Sequence, residues 1–430
     1  MNGKKRIFDS KGFISPPFLA CPKCKKTDCF GVLLISGNGY TRRCRECWFS
    51  MSFKLPDLQK RVIYLDQFAI SEMMKAVNDK LGKKHKIDTF YFTLFEKLEL
   101  LTKAQLIVCP DSAFHRNESA LYHYQSHKKM YEHLSHGITF YDPATIRRFQ
   151  IEQRFQPYIT REKYVFVGKP TSVLHGSINE WNDRFRISLN SAISDEEIDG
   201  ICNSRQKAHQ AISEVFERWK TEKTKTLNDW FTEEGLAYGR MVVKNYLDSI
   251  ARLLSCRIGN LNLGVGEMMS ITMGEENVLF ASLGNYIHAD NPGEELTQIA
   301  SFLTSREMLE IPFVRISALL WAHLAHAAAH GGQKTPPNAG MVSDIDMIST
   351  LLPYSSAIFV DKQMFGILNT GTFTQEIKKY GTKVFSRTNE ADFLSYLDEI
   401  KAQMGDNHLE KLNEVYGQNW ATPYWEMYEK

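Results

Sequence analysis

Apolar positions recur along this chain in two ways. Short uninterrupted runs alternate with longer stretches whose apolar residues stand three and four apart. The runs are Val62-Ile-Tyr-Leu65, Gln105-Leu-Ile-Val-Cys109, Ala357-Ile-Phe-Val360 and Thr382-Lys-Val-Phe385. Brief runs rich in β-branched and aromatic residues read as strands buried on both faces. Between them, Asp88 to Lys103 sets Phe92, Phe95, Leu98 and Leu101 at helical spacing. His115 to Tyr122, Lys362 to Leu368 and Ala391 to Met404 read as further helices. Another begins at Ile311, with Pro312 near its first position, and stops at Gly331-Gly332. Strand and helix in alternation predict an α/β protein whose parallel sheet is sandwiched by helices.

The alternation lapses between 137 and 310. Ile146 to Phe155, a stretch from Asp195 that resumes over Ala208 to Thr224, Leu236 to Ser255, and a stretch from Pro292 read as helices. In the third, Val243, Leu247, Ile250 and Leu254 form one apolar stripe. Arg161 to Val167 reads as a short strand pair and Pro170 to Arg184 as a loop. The expected layout is a module over 1–56, a core split into 57–136 and 311–430, and a mostly helical insertion over 137–310. The insertion is where a protein partner or a second copy is expected to dock.

Composition narrows the class. The 430 residues are 43% hydrophobic and 24% charged, with a net charge of only +2, so any affinity for nucleic acid must come from local patches. No apolar run approaches the roughly 18 residues of a membrane span. The basic start Met1-Asn-Gly-Lys-Lys-Arg has no apolar segment behind it and is not read as a signal peptide. A cytoplasmic location is expected, and there cysteines more often bind metal than pair as disulfides.

Cys21-Pro-Lys-Cys24 and Cys44-Arg-Glu-Cys47 are two C-x2-C pairs 19 residues apart. Each makes a tight turn that aims two thiolates at one point, and together they predict a tetrahedral, structural zinc site in a ribbon. Gly31-Val-Leu-Leu-Ile35 and Trp48 to Phe53 supply its strands, and Cys29 is a substitute ligand at a poorer spacing. Arg42, Arg43 and Arg45 beside the site are phosphate contacts or simply solvating charges. Arg218 and Lys220, which flank Trp219, carry the same two readings on the insertion.

The remaining chemistry is acidic. Asp66 ends the first strand, where open α/β sheets place their ligands; it is also a natural helix cap. Glu118 follows His115 on one helical face and can turn toward Asp66. Ser343 and Asp344 are expected to cap a helix whose first turn also holds Asp346. Asp361 ends the third strand. Carboxylates gathered at one sheet edge repel one another unless cations neutralise them, and Mg²⁺ or Mn²⁺ takes such oxygen ligands.

This order of motifs resembles the PIN-domain nucleases. Their strand-borne Asp matches Asp66, their helix acid Glu118, and their later acids Asp344 and Asp361, with Asp346 a second candidate for the third slot. The resemblance covers roughly 57–136 and 311–400. It departs at Gln67, where many members carry Thr or Asn, and in the more than two hundred residues between Glu118 and Asp344. It implies a hydrolase: a Mg²⁺- or Mn²⁺-dependent endoribonuclease, with Asp66, Glu118, Asp344 and Asp361 catalytic and His115 near the nucleic acid. Such a large, decorated member fits a bacterial toxin or anti-phage defence effector. The alternatives are a flap-type DNA nuclease and a non-catalytic nucleic-acid- or protein-binding module.

Overall fold

The computed structural model describes residues 13–82, 87–120, 124–183, 194–288 and 291–423. Met1 to Arg6, Leu121-Tyr122 and Arg184, at the ends of segments read above, lie outside them. The chain opens with β1 (Ser15–Leu19), β2 (Phe30–Ser36), β3 (Gly39–Cys44) and β4 (Ser50–Lys54). Next come β5 (Arg61–Leu65), α1 (Gln67–Leu81), α2 (Thr89–Lys103), β6 (Ile107–Val108), α3 (Ala113–Ser119) and α4 (Tyr124–Ser135). The middle holds β7 (Thr139–Phe140), α5 (Pro143–Thr160), β8 (Leu174–His175), α6 (Asp195–Thr221), α7 (Leu227–Arg257), α8 (Val265–Thr272), α9 (Glu275–Gly284) and α10 (Pro292–Leu303). Then follow α11 (Pro312–Ala329), α12 (Ala339–Leu351), β9 (Ala357–Phe359), α13 (Lys362–Leu368) and α14 (Gly371–Lys378). β10 (Lys383–Phe385), α15 (Glu390–Ala402) and α16 (Asp406–Tyr416) complete it.

The four apolar runs form one parallel sheet in the order β10-β9-β5-β6. β5 lies inside it, with Leu65 opposite Phe359, so both of its faces must be covered. Alternation along β5 sorts its side chains between two cores. Val62 and Tyr64 pack with α11 and α12 on one face. Ile63 and Leu65 pack with α1, α2 and α15 on the other. Asp66 continues the first set, so it emerges on the α12 side.

Part of the segment 137–310 packs into the core of the sheet, while Ile151, Phe155, Val242, Phe280 and Phe302 gather in another. Phe140, Leu174, Phe216, Trp219 and Trp230 share a single apolar core with Val62, Tyr64 and Ile358. Arg161 to Val167 is not a strand pair; β7 and β8 pair instead, and β8 falls inside the expected loop. The stripe read on α7 is not a core face: Leu247 and Leu254 are 47% and 54% exposed. Gly235 and Gly239 mark the side that packs, since a Cβ on Gly239 would overlap the Leu303 carbonyl. No described helix is long and apolar enough to cross a membrane.

The ribbon strands form an antiparallel sheet. Its core is completed from far along the chain, because Val32, Ile35 and Tyr40 pack on Leu412 and Val415 of α16. The Tyr40 hydroxyl hydrogen-bonds the Glu414 carboxylate. Trp181 seals the same core, and its indole N–H donates to the Pro56 carbonyl at 2.8 Å.

Candidate active site

Cys21, Cys24, Cys44 and Cys47 bring their sulfurs within 4.8 Å of one another. The Cys21–Cys47 and Cys24–Cys44 separations are 3.6 and 3.7 Å. Zinc with bonds of about 2.3 Å to four sulfurs needs edges of about 3.8 Å. In each turn a backbone N–H donates back to the first sulfur, from Cys24 to Cys21 and from Cys47 to Cys44. The residues that follow, Lys25 and Trp48, take positive φ to close the turns. The donor set fits a structural metal such as zinc. Cys29 lies 3.4 Å from Cys44 but donates its thiol to the Lys26 carbonyl, and it is not in the four.

Asp66 stands at the N-cap of α1 with extended backbone, yet its side chain accepts no capping hydrogen bond. Its N–H is tied to the Phe359 carbonyl at 3.1 Å, which fixes it to β9. The residue is 8% exposed. Burial pushes its pKa well above the usual carboxylate range, and the charges of Asp344, Glu118 and Asp361 push it further. A hydrogen bond from the Gln67 N–H favours its charged form. Asp344 is driven up to about 8 by burial, then by Glu118 and Asp361. These four acids come from α3, α12 and the carboxyl ends of β5 and β9.

Two of the others are oriented by a neighbour. Glu118 accepts a 2.8 Å hydrogen bond from the Ser343 hydroxyl, which joins α3 to α12. Asp361 caps α13, accepting from the Met364 N–H at 2.6 Å. Among the described residues, the cysteines alone gather three or more metal-capable groups within 4.8 Å.

Several expected residues fall elsewhere. Asp346 does not join the acids: two positions along a helix from Asp344 is about 200° around the axis. It pairs with Arg147 at 2.6 Å instead. Ser343 and Asp344 do not cap α12, which starts at Ala339 with Asn338 as its cap. Arg42 is 1% exposed and donates to the Pro17, Phe30 and Glu414 carbonyls, so it cannot meet a phosphate. Arg45 lies over the Phe18 ring and donates to the Ile14 carbonyl. Arg43 donates to Ser50 and stays half-buried. Arg218 pairs with Glu222 and Glu233, Lys220 with Glu217, and Trp219 is buried, so its indole offers no surface for a base to stack on.

His115 is also internal, 2% exposed and stacked between Tyr64 and Tyr131 at 4.8 and 4.5 Å. Its Nε2 donates to the Leu65 carbonyl at 2.7 Å and its Nδ1 lies 3.0 Å from Asp111. The tyrosines are anchored in turn, Tyr64 to the Ser112 hydroxyl and Tyr131 to that of Ser119. This support was missed in the sequence; its one local signal is Tyr64, two positions before Asp66 on the same face. No family model, curated protein or solved structure matches the chain.

Proposed function

We propose that the chain is a metal-dependent nuclease of PIN-like type that cuts RNA internally. The observation that supports this is Asp66: a buried carboxylate, unspent on capping, whose charge is opposed by Glu118, Asp344 and Asp361. A cluster of that kind is stabilised by hard divalent cations, which fits an all-oxygen donor set to Mg²⁺ or Mn²⁺ better than to zinc. A cation pair bound there would activate a water and stabilise the leaving oxygen of a phosphodiester. The chain's own part is placement. Asp66 is held by β9 behind it and α1 ahead. Ser343 aims Glu118, and the α13 cap leaves Asp361 one oxygen to turn toward the others. The preference for RNA rests on the resemblance in the order of motifs, as does a toxin or defence role.

The test is incubation with Mg²⁺ or Mn²⁺ and end-labelled single- and double-stranded RNA, single-stranded DNA and a flap DNA. Internal cuts in RNA that need the cation and vanish in Asp66→Asn are expected. Cleavage of the flap alone would move the reading to a DNA nuclease. Binding without any cleavage would leave a non-catalytic module.

A further inference from the structure

At the other, amino-terminal edge of the parallel sheet the chain surrounds a cavity of about 680 Å³. Arg61 opens β5, Lys383 opens β10, and both line it, with Lys60, Lys169, Tyr380 and Tyr396. Among the described residues, four cations line the cavity and no aspartate or glutamate does. The whole chain has 52 basic and 50 acidic residues, so this is a local separation of charge rather than a basic protein showing its average surface.

The fold holds these cations in place. Lys60 is 7% exposed, and its ammonium donates only to neutral acceptors, the Glu180 carbonyl at 2.7 Å and Asn182 Oδ1 at 3.0 Å. Burial pushes its pKa down to about 8, and the Glu180 carboxylate offsets only part of that push. Lys169 rides on a loop pressed against Pro353; a Cβ at Gly168 would lie 2.6 Å from the Pro353 carbonyl oxygen. Arg61 donates to Gln403 at 2.8 Å. The Lys383 ammonium lies 4.4 Å from the centre of the Tyr396 ring, with Glu399 at 3.8 Å its acidic neighbour.

Size and chemistry together select the ligand. A lone phosphate would leave most of this volume empty, whereas small-molecule sites run to about 300–1,000 Å³. Cations that hold a phosphate, with room beyond them for a sugar and a base, are the combination nucleotides call for. We propose that this cavity binds a nucleotide through its phosphate, either a free mononucleotide or the phosphorylated end of a strand. The site is separate from the acid cluster. β5 runs from one to the other, and its five residues span ~17 Å at about 3.3 Å each.

The test is calorimetric titration of full-length Asp66→Asn protein without added Mg²⁺ or Mn²⁺, where nothing is cleaved. Binding here is therefore independent of nuclease activity. The probes are adenosine monophosphate, adenosine, inorganic phosphate, and a trinucleotide with and without a 5′-phosphate. A phosphorylated probe should bind about tenfold or more tightly than its unphosphorylated counterpart and than inorganic phosphate. Lys169→Glu/Lys383→Glu should weaken it by a similar factor. Both side chains are exposed, so the melting temperature should hold, and Lys169→Gln alone gives a milder check. Binding of the monophosphate identifies a free nucleotide; binding of the phosphorylated trinucleotide alone identifies a strand end. No binding of either at millimolar concentration overturns the proposal. So does phosphate binding as well as the nucleotide, or affinity unmoved by the charge reversal.

Discussion

The ring of His115 donates to the carbonyl of Leu65, and so grips the peptide that precedes Asp66. The stacking tyrosines on either side and Asp111 on the other nitrogen leave that ring one place to stand. His115→Ala should destabilise the fold by about 2–4 kcal/mol, through a lost buried contact and an unpaired carbonyl. Nucleic-acid affinity of the folded fraction should not change. Denaturant melts and binding curves on the same preparation separate the two; weakened binding at unchanged stability would return His115 to the substrate surface.

Asp66→Asn removes a charge at almost constant volume. Cleavage should fall below detection while the circular dichroism spectrum is kept. In metal-free buffer the variant should melt higher, by on the order of 1 kcal/mol of stability, because one opposed charge is gone. A mere cap would tolerate the change with activity intact, since Asn caps as well as Asp.

Asp344 links the centre to pH. Its carboxyl keeps a proton in the folded chain up to about pH 8, whereas the ordinary value is 3.8. Between those values the folded chain holds more protons than the unfolded one, so stability falls as pH rises. Without divalent metal the melting temperature should decline from pH 5 to pH 8. Asp344→Asn should flatten that slope, and added Mn²⁺ should oppose it. A wild-type slope equal to that of the variant would show that the carboxyl is not perturbed.

The four cysteines should carry about one zinc per chain. Cys21→Ser/Cys44→Ser should abolish it and loosen 13–54 more than the parallel sheet, since a module this small leans on its metal. Elemental analysis reports the first effect and hydrogen exchange the second. Zinc unchanged in the variant would refute the site.

Asp346→Asn should leave cleavage within about twofold, because the residue faces Arg147. The pair is partly exposed, so stability should fall by less than about 1 kcal/mol. A large drop in activity would put Asp346 back among the acids.

Much of the sheet was legible because buried parallel strands declare themselves as apolar runs, and the cysteine spacing because ligand geometry is local. The order β10-β9-β5-β6 was not, since no residue records its neighbour across a sheet. Asp66, Glu118, Asp344 and Asp361 could be named as candidates, but α12 was entered at the wrong point. Ser343 looked like a cap and instead holds Glu118. Arg42 and Arg45 looked like surface charge for a similar reason. A small ribbon read alone has no inside, and much of the one it acquires comes from α16 and Trp181. The exposed stripe on α7 shows the reverse case: periodicity gives a face, and says nothing of what lies against it.

The bond between Tyr40 and Glu414 spans 374 residues. At about 5–20 residues per second, a ribosome needs roughly 20–75 s to make that stretch. Through that interval the ribbon can fill its metal site but not its core, and Val32, Ile35 and Tyr40 stay open to water. The module made before the parallel sheet is thus finished after it. A nascent chain stalled before residue 406 should offer that face to chaperones, and one released beyond 416 should hide it.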